Sequence, residues 1–240
     1  LGRQLRIPAT ALAGLGQPAT THDDWLARCR EVRMAMPPSD ESVEMSKGLT
    51  LVLGGARSGK SDFAVELALR TGGPVLFVAT AEPGDEEMRA RIEAHRRQRP
   101  RSWRVLEAPR GVGYLLTAEY GGEATVLVDC VTMLVSNVLL ASLPASGAFG
   151  VAEAKTALDA VRREIGKLLD AMEYHPARYI LVSNEVGLGV VPDNALARLY
   201  RDALGWANRL LAARADEVYL LVAGIPVRVK GTEFHGDAGA

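Results

Sequence analysis

Leu49-Thr50-Leu51-Val52-Leu53-Gly54-Gly55-Ala56-Arg57-Ser58-Gly59-Lys60-Ser61 is the stretch on which the reading of this chain turns. Five apolar or β-branched residues run into Gly54-x-x-x-x-Gly59-Lys60-Ser61, the P-loop pattern. An amphipathic helix follows at once, with Phe63, Ala64, Leu67 and Ala68 on one side. Strand, glycine turn and helix form the context the motif needs, and they disfavour the alternative of a plain surface turn. Glycines let consecutive backbone N–H groups curl around phosphate oxygens, and the new helix points its positive end at the same oxygens. In such a loop Lys60 reaches the β- and γ-phosphates, and the Ser61 hydroxyl is placed to ligand Mg²⁺. The stretch therefore predicts a nucleotide-binding protein.

Working outward, the chain has 240 residues, 48% of them hydrophobic and 24% charged, enough for the core of one α/β domain of the larger sort. A net charge of −1 supplies no field to recruit nucleic acid or an anionic membrane. The longest apolar run, around residues 218–227, is too short to span a bilayer. Two cysteines, Cys29 and Cys130, make no disulfide framework and fit a reducing cytoplasm. Residues 1–47 read as a loosely ordered extension, rich in Pro and Gly, and 48–240 as a single domain. The chain begins with Leu1 rather than Met, and translation is expected to start further in, at Met45.

Strands are expected at 49–53, 75–79, 103–106, 125–129, 179–183, 218–222 and 226–229. Helices are expected after the P-loop and at 85–98, 112–119, from about 131 through 143, at 151–172, and from a cap at Asp193 to 213. Strands that are apolar throughout and alternate with helices argue for a mostly parallel sheet of about seven strands covered on both faces. Ligands in such sheets sit beyond the carboxyl ends of the strands, so the residues that follow each strand are the candidates. Thr80, Ala81 and Glu82 follow the second strand. Asp129 ends a Walker-B-like strand, where a carboxylate holds Mg²⁺ or a nucleotide hydroxyl; the alternative is a helix N-cap. Asn184-Glu185 follows another strand, with ordinary loop polarity as the competing reading.

In the helix at 85–98, Met88, Ile92 and His95 share one face, opposite Glu87 and Arg91, so His95 is expected to point inward. An inward histidine is most often a structural group; the alternative is a nucleophile or acid–base group facing phosphates. The run Arg96-Arg97-Gln98-Arg99-Pro100-Arg101 beside it is able to bind anions.

Taken together, the P-loop, the Ala90-Arg91-Ile92-x-x-His95-Arg96 helix with Arg99-Pro100 and Trp103, Asp129-Cys130, Ser183-Asn184-Glu185-Val186-Gly187-x-Gly189-x-Val191-Pro192 and Asp216-Glu217-Val218-Tyr219 resemble a known family. It is the bifunctional adenosylcobinamide kinase/adenosylcobinamide-phosphate guanylyltransferase family of cobalamin synthesis, and the resemblance covers residues 49–230. It implies a P-loop NTPase fold of RecA-like type and two reactions. ATP or GTP phosphorylates the aminopropanol hydroxyl of adenosylcobinamide. GTP then donates GMP to His95, releasing pyrophosphate, and the GMP moves on to the new phosphate to give adenosylcobinamide-GDP. The resemblance also implies that Gly54, Gly55, Ala56, Arg57, Ser58, Gly59, Lys60, Ser61, Thr80, Ala81, Glu82, Arg96, Arg97, Gln98, Arg99, Glu107 and Asp129 line the nucleotide site, and that the chain works as a cytoplasmic homotrimer. Trp206 stands where many relatives have Arg, and Asp129 where some have Glu. The competing functions are a single-activity P-loop kinase of another small molecule, with His95 structural, and a non-catalytic NTP-binding module.

Overall fold

A computed structural model of the chain describes residues 48–84, 86, 89, 90, 92, 93, 96 and 99–231. The extension at 1–47, the inward face expected for Met88 and His95, and the tail after Gly231 lie outside the described residues. Seven strands form one sheet: β1 (Gly48–Gly54), β2 (Val75–Ala79), β3 (Arg104–Glu107), β4 (Thr125–Asp129), β5 (Arg178–Asn184), β6 (Glu217–Val222) and β7 (Ile225–Lys230). Their order is β3-β2-β4-β5-β1-β6-β7, parallel throughout except for the antiparallel β6–β7 hairpin. The helices whose bounds lie among the described residues are α1 (Lys60–Arg70), α2 (Val112–Glu119), α3 (Val131–Ser142), α4 (Val151–Tyr174) and α5 (Ala195–Arg214). The expected mostly parallel sheet of about seven strands is the one observed.

The central strands are apolar on both sides because both sides are covered. Leu51, Leu76, Val126, Val128, Tyr179 and Leu181 face a core shared with α2, α3, α4 and α5. Val52, Phe77, Leu127, Ile180 and Val182 face α1 and Trp103. On α4, Val161, Ile165, Leu168 and Met172 recur at three- to four-residue spacing and are buried. Each such side chain contributes roughly 1.5–3 kcal/mol. Of the helix expected over 85–98, the described residues Glu86, Arg89, Ala90, Ile92, Glu93 and Arg96 are helical. One boundary differs from the sequence reading: Asn194, not Asp193, caps α5, its side chain accepting from Ala197 N at 2.7 Å.

The sheet edges are closed by polar contacts. On β3, Arg104 Nε donates to Glu123 Oε1 at 2.6 Å, while Gly121 N donates to the other carboxylate oxygen at 2.9 Å. Burial works to raise the Glu123 carboxyl, but these donors hold it below its ordinary value. At the other edge, Ala223 (φ 50°) and Gly224 (φ 85°) make the tight β6–β7 turn. There Lys230 Nζ donates to Ala212 O and Ala213 O, carbonyls in the last turn of α5. Among the described residues no helix is long and apolar enough to cross a membrane.

Candidate active site

The P-loop is built as its glycines require. Gly54 has φ +152°, and a Cβ there would fall 2.6 Å from Ser58 Oγ and 2.7 Å from Leu221 O. Gly59, at φ +87°, turns the chain into α1, and Phe63 N donates back to its carbonyl at 3.0 Å. Between them Arg57 takes φ 56°, a left-handed conformation uncommon outside glycine. Two neighbours brace the loop: Glu185 N donates to Gly54 O at 3.0 Å, and Gly224 N, at the hairpin tip, donates to Ser58 O at 3.1 Å. The Lys60 side chain lies inside this turn, with 7% of the residue exposed. Its ammonium donates to Gly55 O and to Ser58 Oγ. Gly55, Ala56 and Arg57 are exposed, and Ser61 is half-buried at the start of α1.

Across the strand ends a second group assembles around Asp129. Thr80 is fully buried, and its hydroxyl donates to Cys130 O and accepts from Cys130 N, both at 2.7 Å. Thr80 N donates to Asp129 O at 3.2 Å. Asn137 Nδ2 of α3 donates to Thr80 O (2.8 Å) and Pro109 O (3.0 Å). Thr80 thus ties the ends of β2 and β4 together and presents no side-chain surface of its own. Asp129 is half-buried and is not the cap of α3, since Cys130 holds the N-cap position.

Arg99 stacks over the Phe77 ring, its guanidinium carbon 4.0 Å from the centroid. Burial lowers the Arg99 pKa; Asp129 and Glu107 pull it back up, while Arg96 pushes it down. Arg96 Nη2 donates to Glu107 Oε1 at 2.6 Å, and Glu82 pairs with Arg110 at 3.4 Å. The structure therefore gathers Arg96, Arg99, Glu107 and Asp129 at the carboxyl ends of β2, β3 and β4. His95, Arg97 and Gln98 lie outside the described residues.

Cys130 is half-buried, and desolvation by the atoms packed around it pushes its thiol up to about 12, with the Asp129 charge adding to the shift. Alkylation of Cys130 by iodoacetamide in a Cys29→Ser chain is expected to be about a thousandfold slower than for an ordinary cysteine. An ordinary rate, read by mass spectrometry, would contradict this upward shift.

Several positioning residues gave little sign of themselves in the sequence. Asn208 of α5 is buried, accepts from Ser183 Oγ at 2.7 Å and donates to Asn184 O at 2.9 Å. Thr132 Oγ1 accepts from Asn184 N at 2.7 Å. The usable signal was a polar side chain on an inward helical stripe, as Asn208 is between Leu204 and Leu211.

A family model described as cobinamide kinase / cobinamide phosphate guanyltransferase (CobU) matches residues 50–229. The chain belongs to the CobU family. Bifunctional adenosylcobalamin biosynthesis protein CobP of Pseudomonas aeruginosa is 43% identical over 181 residues, covering 75% of this chain and 96% of that protein. The CobU proteins of Salmonella typhimurium and Escherichia coli are 42% and 41% identical over 186 residues, each covering 76% of this chain and 99% of the relative. Among solved structures the chain is similar to the RadB recombinase (18% identity, TM-score 0.40, covering 73% of this chain and 74% of that one). It is also similar to an ATPase from a type III secretion system of pathogenic bacteria (14%, TM-score 0.48, covering 74% and 52%). In this CobU-family chain the buried Lys60 follows the glycine turn after β1 and Asp129 ends β4, with β5 between the two strands.

Proposed function

We propose that this chain carries out two successive transfers on a corrinoid. In the first, the hydroxyl of the aminopropanol arm of adenosylcobinamide attacks the γ-phosphorus of ATP or GTP. A new O–P bond forms, the bond to the β-phosphate oxygen breaks, and the nucleoside diphosphate leaves. In the second, an imidazole nitrogen of His95 attacks the α-phosphorus of GTP and pyrophosphate leaves. An oxygen of the new corrinoid phosphate then attacks that phosphorus, the P–N bond breaks, and adenosylcobinamide-GDP is released. Membership of the CobU family over residues 50–229 carries this reading.

The residues fit their parts. Lys60 and the P-loop N–H groups would bind the phosphates, and Arg96 and Arg99 would balance charge developing at the reacting phosphorus. Ser61 and Asp129 offer the hard oxygens that Mg²⁺ prefers. Among the described residues no group of three or more His, Cys, Asp or Glu is placed to hold a metal. An ion would thus complete its shell from phosphate oxygens and water, where it would neutralise phosphate charge. We further propose a homotrimer, from the family resemblance, and a cytoplasmic location, from the two cysteines.

Labelling tests the second transfer. Incubated with GTP labelled at the α-phosphate and then denatured, the wild-type chain is expected to retain acid-labile, alkali-stable label that is lost in His95→Ala. A wild-type chain without label would leave the kinase reaction alone.

A further inference from the structure

A concavity of about 280 Å³ lies between α3 and α4 beside this site. Asn137, one residue before its lining residue Val138, hydrogen-bonds Thr80 O and Pro109 O, so this part of α3 sits over the ends of β2 and β3. Arg110, on the pocket wall, pairs with Glu82 just past β2. Glu107, three residues before Arg110, anchors Arg96, the residue next to His95 in sequence. The pocket thus lies on the helix layer near the carboxyl ends of β2 and β3.

Its floor is small and apolar, from Val138, Ala141 and Ala160, and its cations are Arg110, Arg163 and Lys167. Arg163 and Lys167 stand four residues apart on α4, a spacing at which like charges repel. Among the described residues the neighbouring acids on α4 have other hydrogen-bond or ion-pair partners. Asp159, four residues before Arg163, pairs with Lys155 and Arg162, each at 2.9 Å. Glu164, also on the wall, accepts from Val112 N at 2.8 Å at the start of α2. With Arg110 paired to Glu82 and Glu164 on the same wall, Arg163 and Lys167 leave the pocket with a small excess of positive charge, which suits an anionic ligand. The volume suits a phosphate on a short aliphatic stem, the rest of a larger ligand lying outside the concavity. The floor carries no aromatic ring to stack a base.

We propose that this pocket receives the phosphate monoester that the first reaction makes on the substrate's aminopropanol arm, and holds it for the second. The inference rests on the two-transfer reading above. The phosphate oxygen attacks the guanylyl phosphorus, the P–O bond forms as the P–N bond breaks, and the electron pair returns to the imidazole. Arg163 and Lys167 bind the charge of the incoming acceptor, which the unphosphorylated substrate does not carry.

The test compares acceptors with and without that charge, using the full chain carrying Arg163→Ala and Lys167→Ala together. Both side chains are exposed, and thermal melting checks that the fold is kept. For guanylyl transfer, KM for adenosylcobinamide phosphate is expected to rise about 10- to 100-fold, the loss of one or two charge-assisted hydrogen bonds. For the kinase reaction, KM for unphosphorylated adenosylcobinamide is expected to stay within about twofold. Arg163→Lys with Lys167→Arg, which keeps both charges, is expected to recover most of the loss. An unchanged KM for the phosphorylated acceptor overturns the proposal. So does a parallel rise for both acceptors, which marks a structural or general corrinoid effect. A wild-type chain that takes no label from GTP overturns the two-transfer reading itself, and is seen before any variant is compared.

Discussion

Lys60→Ala is expected to lower kcat/KM for corrinoid phosphorylation by about a thousandfold, roughly 4 kcal/mol of transition-state stabilisation. It is expected to slow labelling of the chain by GTP to a similar degree. The ammonium lies within the glycine turn, bonded to Gly55 O and Ser58 Oγ, in a setting largely closed to water. A charge so placed acts on phosphate oxygens through a lower effective dielectric than bulk water, and it needs little reorganisation to do so. Lys60→Arg is not expected to rescue, because a planar guanidinium is broader than the ammonium that fits inside the loop. The fold should survive, since the strand and helix on either side keep their packing. Steady-state kinetics with thermal melts check this. Activity within tenfold of wild type at an unchanged melting temperature would remove Lys60 from the mechanism.

The second large effect is on stability. Gly113 lies in the first turn of α2 where that helix crosses α4, and a Cβ there would stand 2.2 Å from Lys167 O, 2.3 Å from Lys167 C and 2.7 Å from Leu168 N. These are backbone atoms in the middle of a 24-residue helix, so no side chain can swing away. One helix must shift, and Val112, Leu116 and Leu168, all fully buried, must shift with it. Gly113→Ala is therefore expected to cost about 3 kcal/mol, the upper end for overpacking, and to lower the melting temperature by about 6–12 °C. Gly166→Ala is the matched control. It sits in α4 with nothing within 4 Å of its would-be Cβ, and should be neutral or stabilising by about 0.5–1 kcal/mol. Equal melting of the two variants would mean that the α2–α4 crossing is looser than described.

The relation between sequence and structure differs from one residue to the next. The P-loop was legible because its strand, turn and helix are contiguous and its glycines are required by a conformation that few other residues adopt. The central strands were legible because burial on both faces leaves an unbroken apolar run. Asp129 could be read two ways from sequence, as helix cap or as strand-end carboxylate. Placement of Cys130 at the N-cap removed the first. Thr80 was placed at the right strand end, but nothing in its neighbourhood revealed that its hydroxyl is committed to Cys130, fifty residues away. The same holds for Asn208 with Ser183 and Asn184, and for Arg110 with Glu82.

The sequence by itself determined the strand–helix alternation, the glycine turn after β1, the family motifs and which residues follow each strand. All of these are carried by local periodicity or by residues within a few positions of one another. Only the tertiary structure decided strand order, which buried polar groups tie the strand ends together, and the gathering of Arg110, Arg163 and Lys167 around one pocket. Those depend on how helices of unrelated sequence cross the sheet, and a crossing is set by the packing of the whole core, which no short stretch of chain encodes.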